Sequence, residues 1–232
     1  MENEMEQSEI AATVYKVLSA LYHPQDVLEL RILGLPRGEV KAGYYDDKIK
    51  MADRAAHYSG RGNSIYAVVN PVNPEIKKRP RNKLTEWAKD LTKDKDIPHR
   101  RYVFVDCDPV RPSNLSATDT EHQAAIEKAW EIREWLMQEM NFPDMFLADS
   151  GNGAHLLIPV DLPNDGATTQ VIKSFLALLA ERFDSKVIKI DQCVFNAARL
   201  IKIWGTKASK GENLLERPHR FSQLLHMPEL AK

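Results

Sequence analysis

The sequence predicts an α+β fold, with two or more helices packed on mostly antiparallel sheet. Three observations carry that expectation: short apolar runs that stop at turn residues, two long stretches with apolar residues at helical spacing, and a glycine-rich turn between two adjacent strand-like runs. The opening helix is expected from about Ser8 to Leu21, stopped by Pro24. Val27 to Leu33 alternates apolar and polar residues, the pattern of a half-buried strand. After the turn residues Gly34, Pro36 and Gly38, a strand near Val40 to Tyr45, a helix near Asp46 to Tyr58 and a buried strand from Ser64 to Val69 follow, the last ended by Asn70-Pro71. A short helix is expected around Leu84 to Leu91.

Tyr102 to Val105 is a strongly apolar strand that delivers Asp106-Cys107-Asp108 at its end, before Pro109 and Pro112. Thr118 and Glu121 form a capping box for a helix reaching about Met140, with Ile126, Ala129, Trp130, Leu136, Met137 and Met140 at helical spacing. Met145 to Ala148 and Leu156 to Val160 read as strands joined by Ser150-Gly151-Asn152-Gly153. A second amphipathic helix carries Val171, Phe175, Leu178, Leu179 and Phe183, and the strand Val187 to Ile190 leads to Asp191.

The 232 residues suffice for one large domain or two closely packed subdomains, and 43% apolar with 28% charged residues is ordinary for a globular chain. Cys107 and Cys193 match no zinc spacing and fit a reducing cytosol. The first residues are acidic and lack an apolar signal core, and the longest apolar run, Phe175 to Ala180, is far too short to span a bilayer. A soluble cytoplasmic protein without a membrane partner is therefore expected. A net charge of −1 provides no global basic field, so any nucleic-acid contact must be local. Candidate DNA-binding cations are Lys77, Lys78, Arg79 and Arg81 in one stretch and Lys207 and Lys210 in another, although charge runs also serve simply as solvated loops.

Because strand side chains alternate faces, Asp106 and Asp108 point the same way, with Cα atoms about 6 to 7 Å apart. Two carboxylates aimed at one volume repel unless a cation lies between them, and their hard oxygens suit Mg²⁺ or Mn²⁺. The other reading is an acidic pair that solvates a turn before proline. Asp191, also ending an apolar run, is a candidate third ligand or an exposed strand-end acid. His155 follows a tight glycine turn whose amides can approach phosphate oxygens, as Ser150 and Gly153 would. Arg199 and Lys202 add cations suited to a triphosphate. No phosphate loop of the GxxxxGK type, HxH pair, HExxH, GxSxG elbow or dinucleotide fingerprint is present.

Taken together, Val103-Phe-Val-Asp106-Cys-Asp108, Ser150-Gly-Asn-Gly-Ala-His155, and Asp191 followed by Asn196-Ala-Ala-Arg199 and Trp204-Gly205-Thr206 resemble, in order, the three motifs of the archaeo-eukaryotic primase (AEP) superfamily. Tyr66 to Pro71, Asp108 to Pro112, Ser150 to Pro163 and Arg217-Pro-His-Arg220 are similar to its primase-polymerase (prim-pol) clade of plasmids, phages and CRISPR-associated loci. The resemblance spans roughly Val27 to Arg220. It implies an RRM-like catalytic sheet with an N-terminal α/β subdomain, divided at about 1–98 and 99–232 within a single catalytic domain of residues 1–232. It also implies that Asp106, Asp108 and Asp191 hold two divalent ions and act catalytically, while Ser150, Gly153, His155, Arg199 and Lys202 contact an NTP or dNTP. The activity implied is DNA primase or polymerase on single-stranded template and primer. Alternatives are a repair-type polymerase that only extends primers and a non-catalytic single-strand-binding module. Some relatives carry a zinc module or a fused helicase, and these residues have neither, which points to a separate helicase or to CRISPR or replication proteins as partners.

Overall fold

The structure, a computed structural model, describes residues 6–61 and 64–229. Helix α1 (Gln7–Leu21) starts at Glu6, whose N–H donates to the Glu9 carboxylate at 3.3 Å, and buries Ile10, Val14, Val17, Leu18 and Leu21. Strands β1 (Leu28–Leu33) and β2 (Lys41–Tyr45) lead to α2 (Lys48–Tyr58), whose first turn is capped by the Asp47 carboxylate accepting from Ile49 and Lys50 N–H. Strand β3 (Ser64–Val68) then pairs with β1 on the side opposite β2, both antiparallel. Leu28, Leu30 and Ile32 pack with the apolar faces of α1 and α2 in one core.

The other face of β1 is not open to water, as the alternating pattern suggested. Glu29 is fully buried there, accepting from Arg31 Nη2 at 2.7 Å and from Arg79 Nη2 at 2.6 Å, and the Arg79 guanidinium lies 4.4 Å from the Tyr44 ring centroid. Residues 70–98 fold over that face, and Leu84 to Leu91 forms no helix. Its backbone bonds go sideways instead. Thr85 exchanges both N–H···O bonds with Ala42, Ala88 N–H donates to Val40, and Trp87 takes a left-handed φ of 48° that stops a helical turn.

The chain continues through β4 (His99–Pro109), α3 (Asp119–Gln138), β5 (Phe146–Asp149), β6 (Ala154–Pro163), α4 (Gly166–Phe183) and β7 (Ile188–Ile190). Strands β8 (Leu200–Lys202), β9 (Lys207–Ala208), β10 (Arg220–Phe221) and β11 (Gln223–His226) complete it. The large antiparallel sheet runs β11-β5-β6-β4-β7, so its last four strands and two helices form a βαββαβ unit with RRM-like strand order. The expected α+β class and its RRM-like sheet are thus observed. The smaller sheet runs β2-β1-β3-β8, which draws β8, late in the chain, beside β3. One apolar cluster takes residues from both sheets and all four helices.

Three local expectations change. Strand β4 is longer than the apolar run and carries Asp106 and Asp108 inside the ladder, because β6 and β7 both pair along it to Cys107 and Pro109. On α4 the buried stripe is Ile172, Leu176, Leu179 and Phe183, leaving Val171 65% and Leu178 41% exposed. Met140 lies beyond the end of α3 and is also exposed. Arg217 and Arg220 hold the C-terminal segment onto the start of α3 through Glu121 and Asp119, where carboxylates favour the positive helix end. Among the described residues no helix is long and apolar enough to cross a membrane.

Candidate active site

Strand register assembles the centre of the site. Asp106 on β4 stands directly opposite His155 on β6, so the two side chains emerge side by side on one face, and Asp108 and Phe104 share it by alternation. Cys107 and Val105 point to the opposite, fully buried face. Asp191 joins from the end of β7, where its N–H donates to the Asp106 carbonyl at 3.0 Å. Gly153, at the mouth of the β5–β6 turn, sits so close to β4 that a Cβ would collide with the Cys107 carbonyl and press on Asp108 Oδ1 at 3.2 Å. Glycine here keeps the turn flush against the acid-bearing strand.

The opposite wall comes from the smaller sheet. Lys202 on β8 pairs with Tyr66 on β3, and Arg199 immediately precedes β8. The two walls enclose a cleft of about 400 Å³, lined among others by Asp106, Asp108, Ser150, His155, Arg199, Lys202 and Lys210. Phe104, Tyr66, Arg111 and Asn152 line it as well, and sequence reasoning had not singled them out for the site. The position of Arg111, three residues after Asp108, was the available clue. Lys207 does not line the cleft. Its backbone N–H donates to Ser59 Oγ and its ammonium lies over the Phe221 ring.

The charges interlock. Asp108 accepts from Arg111 Nη1 at 3.1 Å and Asp191 from Arg199 Nη2 at 3.2 Å. Among the described residues no arginine pairs with Asp106, and burial, with the nearby Asp108 and Asp191 charges, pushes its carboxyl well above the usual range. An all-carboxylate donor set of this kind has the chemistry a hard divalent cation requires. Among the described residues no three His, Cys, Asp or Glu side chains stand in a ready metal-binding array, since Asp108 and Asp191 are each turned toward an arginine.

His155 is 5% exposed, and burial lowers its pKa to about 4, so the ring is neutral at ordinary pH. Trp204 Nε1–H donates to its Nδ1 at 3.1 Å. Indole nitrogen only donates, so Nδ1 must accept and the single ring proton sits on Nε2, 3.6 Å from Asp106 Oδ1. Trp204 is therefore a positioning residue that makes His155 a hydrogen-bond donor toward the cleft. Trp204→Phe is expected to let both tautomers populate. Nitrogen-15 spectra of the imidazole should show Nε2 protonated and Nδ1 bare in the wild-type protein and averaged signals in the variant; a wild-type proton on Nδ1 would contradict the assignment.

Ser150 Oγ accepts from Asn152 and Gly153 N–H, organising its own turn, so the Gly153 amide is engaged within the loop. Lys202 donates to the Lys207 carbonyl at 2.8 Å, and burial lowers its pKa to about 7. An anion entering the cleft favours the charged ammonium and draws that value back up. Asn70 is buried away from the cleft: its side chain accepts from Arg101 and Tyr102 N–H and donates to the Ala197 carbonyl.

The basic stretch 77–81 is largely engaged in folding. Arg79 is buried on Glu29, Lys78 binds Asp96 at 2.7 Å, and Arg81 reaches the Pro74 carbonyl, while Lys77 is exposed.

No family model matches the sequence, and no curated protein does. Among solved structures, the chain is similar over 94% of its length to primase RepB′, with a TM-score of 0.48 and 9% identity. It spans 56% of that chain, a little over half its length. A second similar structure is the catalytic domain of primase RepB′ in complex with initiator DNA, with a TM-score of 0.46, 9% identity, 94% of this chain and 85% of that one covered.

Proposed function

We propose that the protein is a template-dependent nucleotidyltransferase that makes or extends primers on single-stranded DNA. The observation that carries this reading is the cleft itself: carboxylates from β4 share it with Arg199 and Lys202 from the other sheet, and a neutral His155 donor stands beside Asp106. A cavity that gathers both carboxylates and cations suits a polyphosphate whose own charge is offset by the cations and whose reacting phosphorus lies beside the acids.

In this reading Asp106, Asp108 and Asp191 hold the divalent ions, Mg²⁺ or Mn²⁺. When bound, those ions supply Lewis acidity toward the α-phosphate and the attacking 3′-hydroxyl. Arg199, Lys202 and Lys210 offset the charge of the incoming NTP or dNTP, and Nε2–H of His155 donates to one of its phosphate oxygens. Ser150 holds the turn that presents His155. The 3′-oxygen bonds to the α-phosphorus, the Pα–O–Pβ bond breaks, pyrophosphate leaves, and the hydroxyl proton passes to water. Arg111 and Arg199, now on Asp108 and Asp191, release those carboxylates as the site fills.

A purely single-strand-binding role is less well supported, because most of the basic stretch it would use is occupied by Glu29, Asp96 and backbone carbonyls. The test is incubation with single-stranded DNA, with and without an annealed primer, in Mg²⁺ or Mn²⁺ with NTPs or dNTPs. Template-dependent incorporation that stops with chelator is expected, and its absence under every metal and nucleotide removes the proposal. Product without primer marks a primase; product only with primer marks an extending polymerase.

A further inference from the structure

A second cavity, of about 620 Å³, adjoins the cleft: Tyr66, Arg199 and Leu200 line both. Its far wall includes Arg31, Lys93, Asp94 and Asn196. Arg31 is 9% exposed, its Nε has no hydrogen-bond partner among the described residues, and Nη2 is held by Glu29. Glu29 already receives Arg79, so two guanidiniums share one carboxylate and a net positive charge remains buried beside the cavity. Lys93 is exposed on the lining and Arg199 closes the side toward the cleft. Against Arg31 and Lys93 stands Asp94, which is engaged by Ala198 N–H at 2.8 Å and Asn196 Nδ2 at 3.4 Å, while the Arg199 guanidinium is paired with Asp191 at 3.2 Å. The half-buried Tyr66 offers an aromatic surface where the two cavities meet, and bases stack on such rings.

Joining two nucleotides without a primer requires an acceptor whose 3′-hydroxyl faces the catalytic acids and whose own 5′-triphosphate lies away from them. We infer that the second cavity is this acceptor subsite, with Arg31 and Lys93 on the acceptor's triphosphate and Arg199 at its junction with the donor nucleotide. The inference rests on the nucleotidyltransferase reading and adds the location of the second substrate.

Two measurements test it separately from that reading. In the first, ATP is titrated calorimetrically into the protein with Mg²⁺ and no template. Two ATP per chain are expected for the wild type, with the second lost or weakened at least tenfold in Arg31→Gln and weakened in the surface variant Lys93→Gln. One ATP per chain, or a second site indifferent to both substitutions, overturns the subsite whatever the activity. In the second, the ratio of primer-free to primed synthesis is expected to fall at least tenfold in Arg31→Gln through a raised KM for the initiating nucleotide. A ratio within twofold of wild type in both variants overturns it. Two ATP bound in an Arg31-dependent way by a protein that makes no product keeps the subsite and removes the nucleotidyltransferase reading.

Discussion

Asp106→Ala is expected to remove incorporation on template DNA by roughly three orders of magnitude or more, the scale on which electrostatic groups of a phosphoryl-transfer site act. The geometry makes Asp106 the most sensitive of the three acids. It lies between Asp108 and Asp191, faces His155 across the ladder, and among the described residues pairs with no arginine. The same change removes a carboxyl crowded by two others, so the thermal midpoint should hold or rise while activity disappears. That opposition separates a lost function from a lost fold. Product at wild-type level from a folded Asp106→Ala protein would exclude the site, and a midpoint well below wild type would show that Asp106 is needed for folding instead.

The largest effect on stability is expected at Glu29, which does not line the cleft. Its side chain is fully buried and bridges Arg31 and Arg79, whose side chains are 11% and 5% exposed. Glu29→Ala leaves both guanidiniums desolvated and facing each other, and breaking a buried ion pair by removing one partner costs roughly 3 to 5 kcal/mol. Urea unfolding followed by tryptophan fluorescence would show this as a lowered midpoint. A midpoint unchanged from wild type would mean that water or rearranged partners replace the carboxylate. Arg31→Gln keeps the Glu29–Arg79 pair and should lower the midpoint less.

The acid-bearing strand, the capping box at Thr118 and the turn before His155 were legible because each is a local pattern. An apolar run beside Asp106 reads as a strand whatever packs on it, and glycines at 151 and 153 read as a turn. The opposite wall was not legible as a wall. Strand β8 is three residues long and pairs with β3, more than a hundred residues earlier, and no periodicity announces a partner at that distance. Glu29 and Arg31 read as a wet face because their partner Arg79 lies fifty residues on, inside a stretch whose charge suggested DNA. Leu84, Trp87, Ala88 and Leu91 are spaced as a helix would space them, yet the backbone of Thr85 and Ala88 bonds to Ala42 and Val40 at the edge of the smaller sheet. Trp204 could be noticed as part of a motif, but only the contact with Nδ1 of His155 reveals which ring nitrogen faces the cleft.

The ladder between β4 and β6 shifts register between Arg100 and Tyr102 and runs in step from there to Cys107. That places an irregularity, able to absorb an added residue, upstream of a stretch where none can be absorbed. Deleting one residue between Tyr102 and Val105 would turn Asp106 and Asp108 under the helices and bring Cys107 into the cleft in their place. Chain-length variation in β4 should therefore be confined to the segment before Tyr102, and a library of single-residue insertions and deletions scored for folding would map that boundary as a sharp edge.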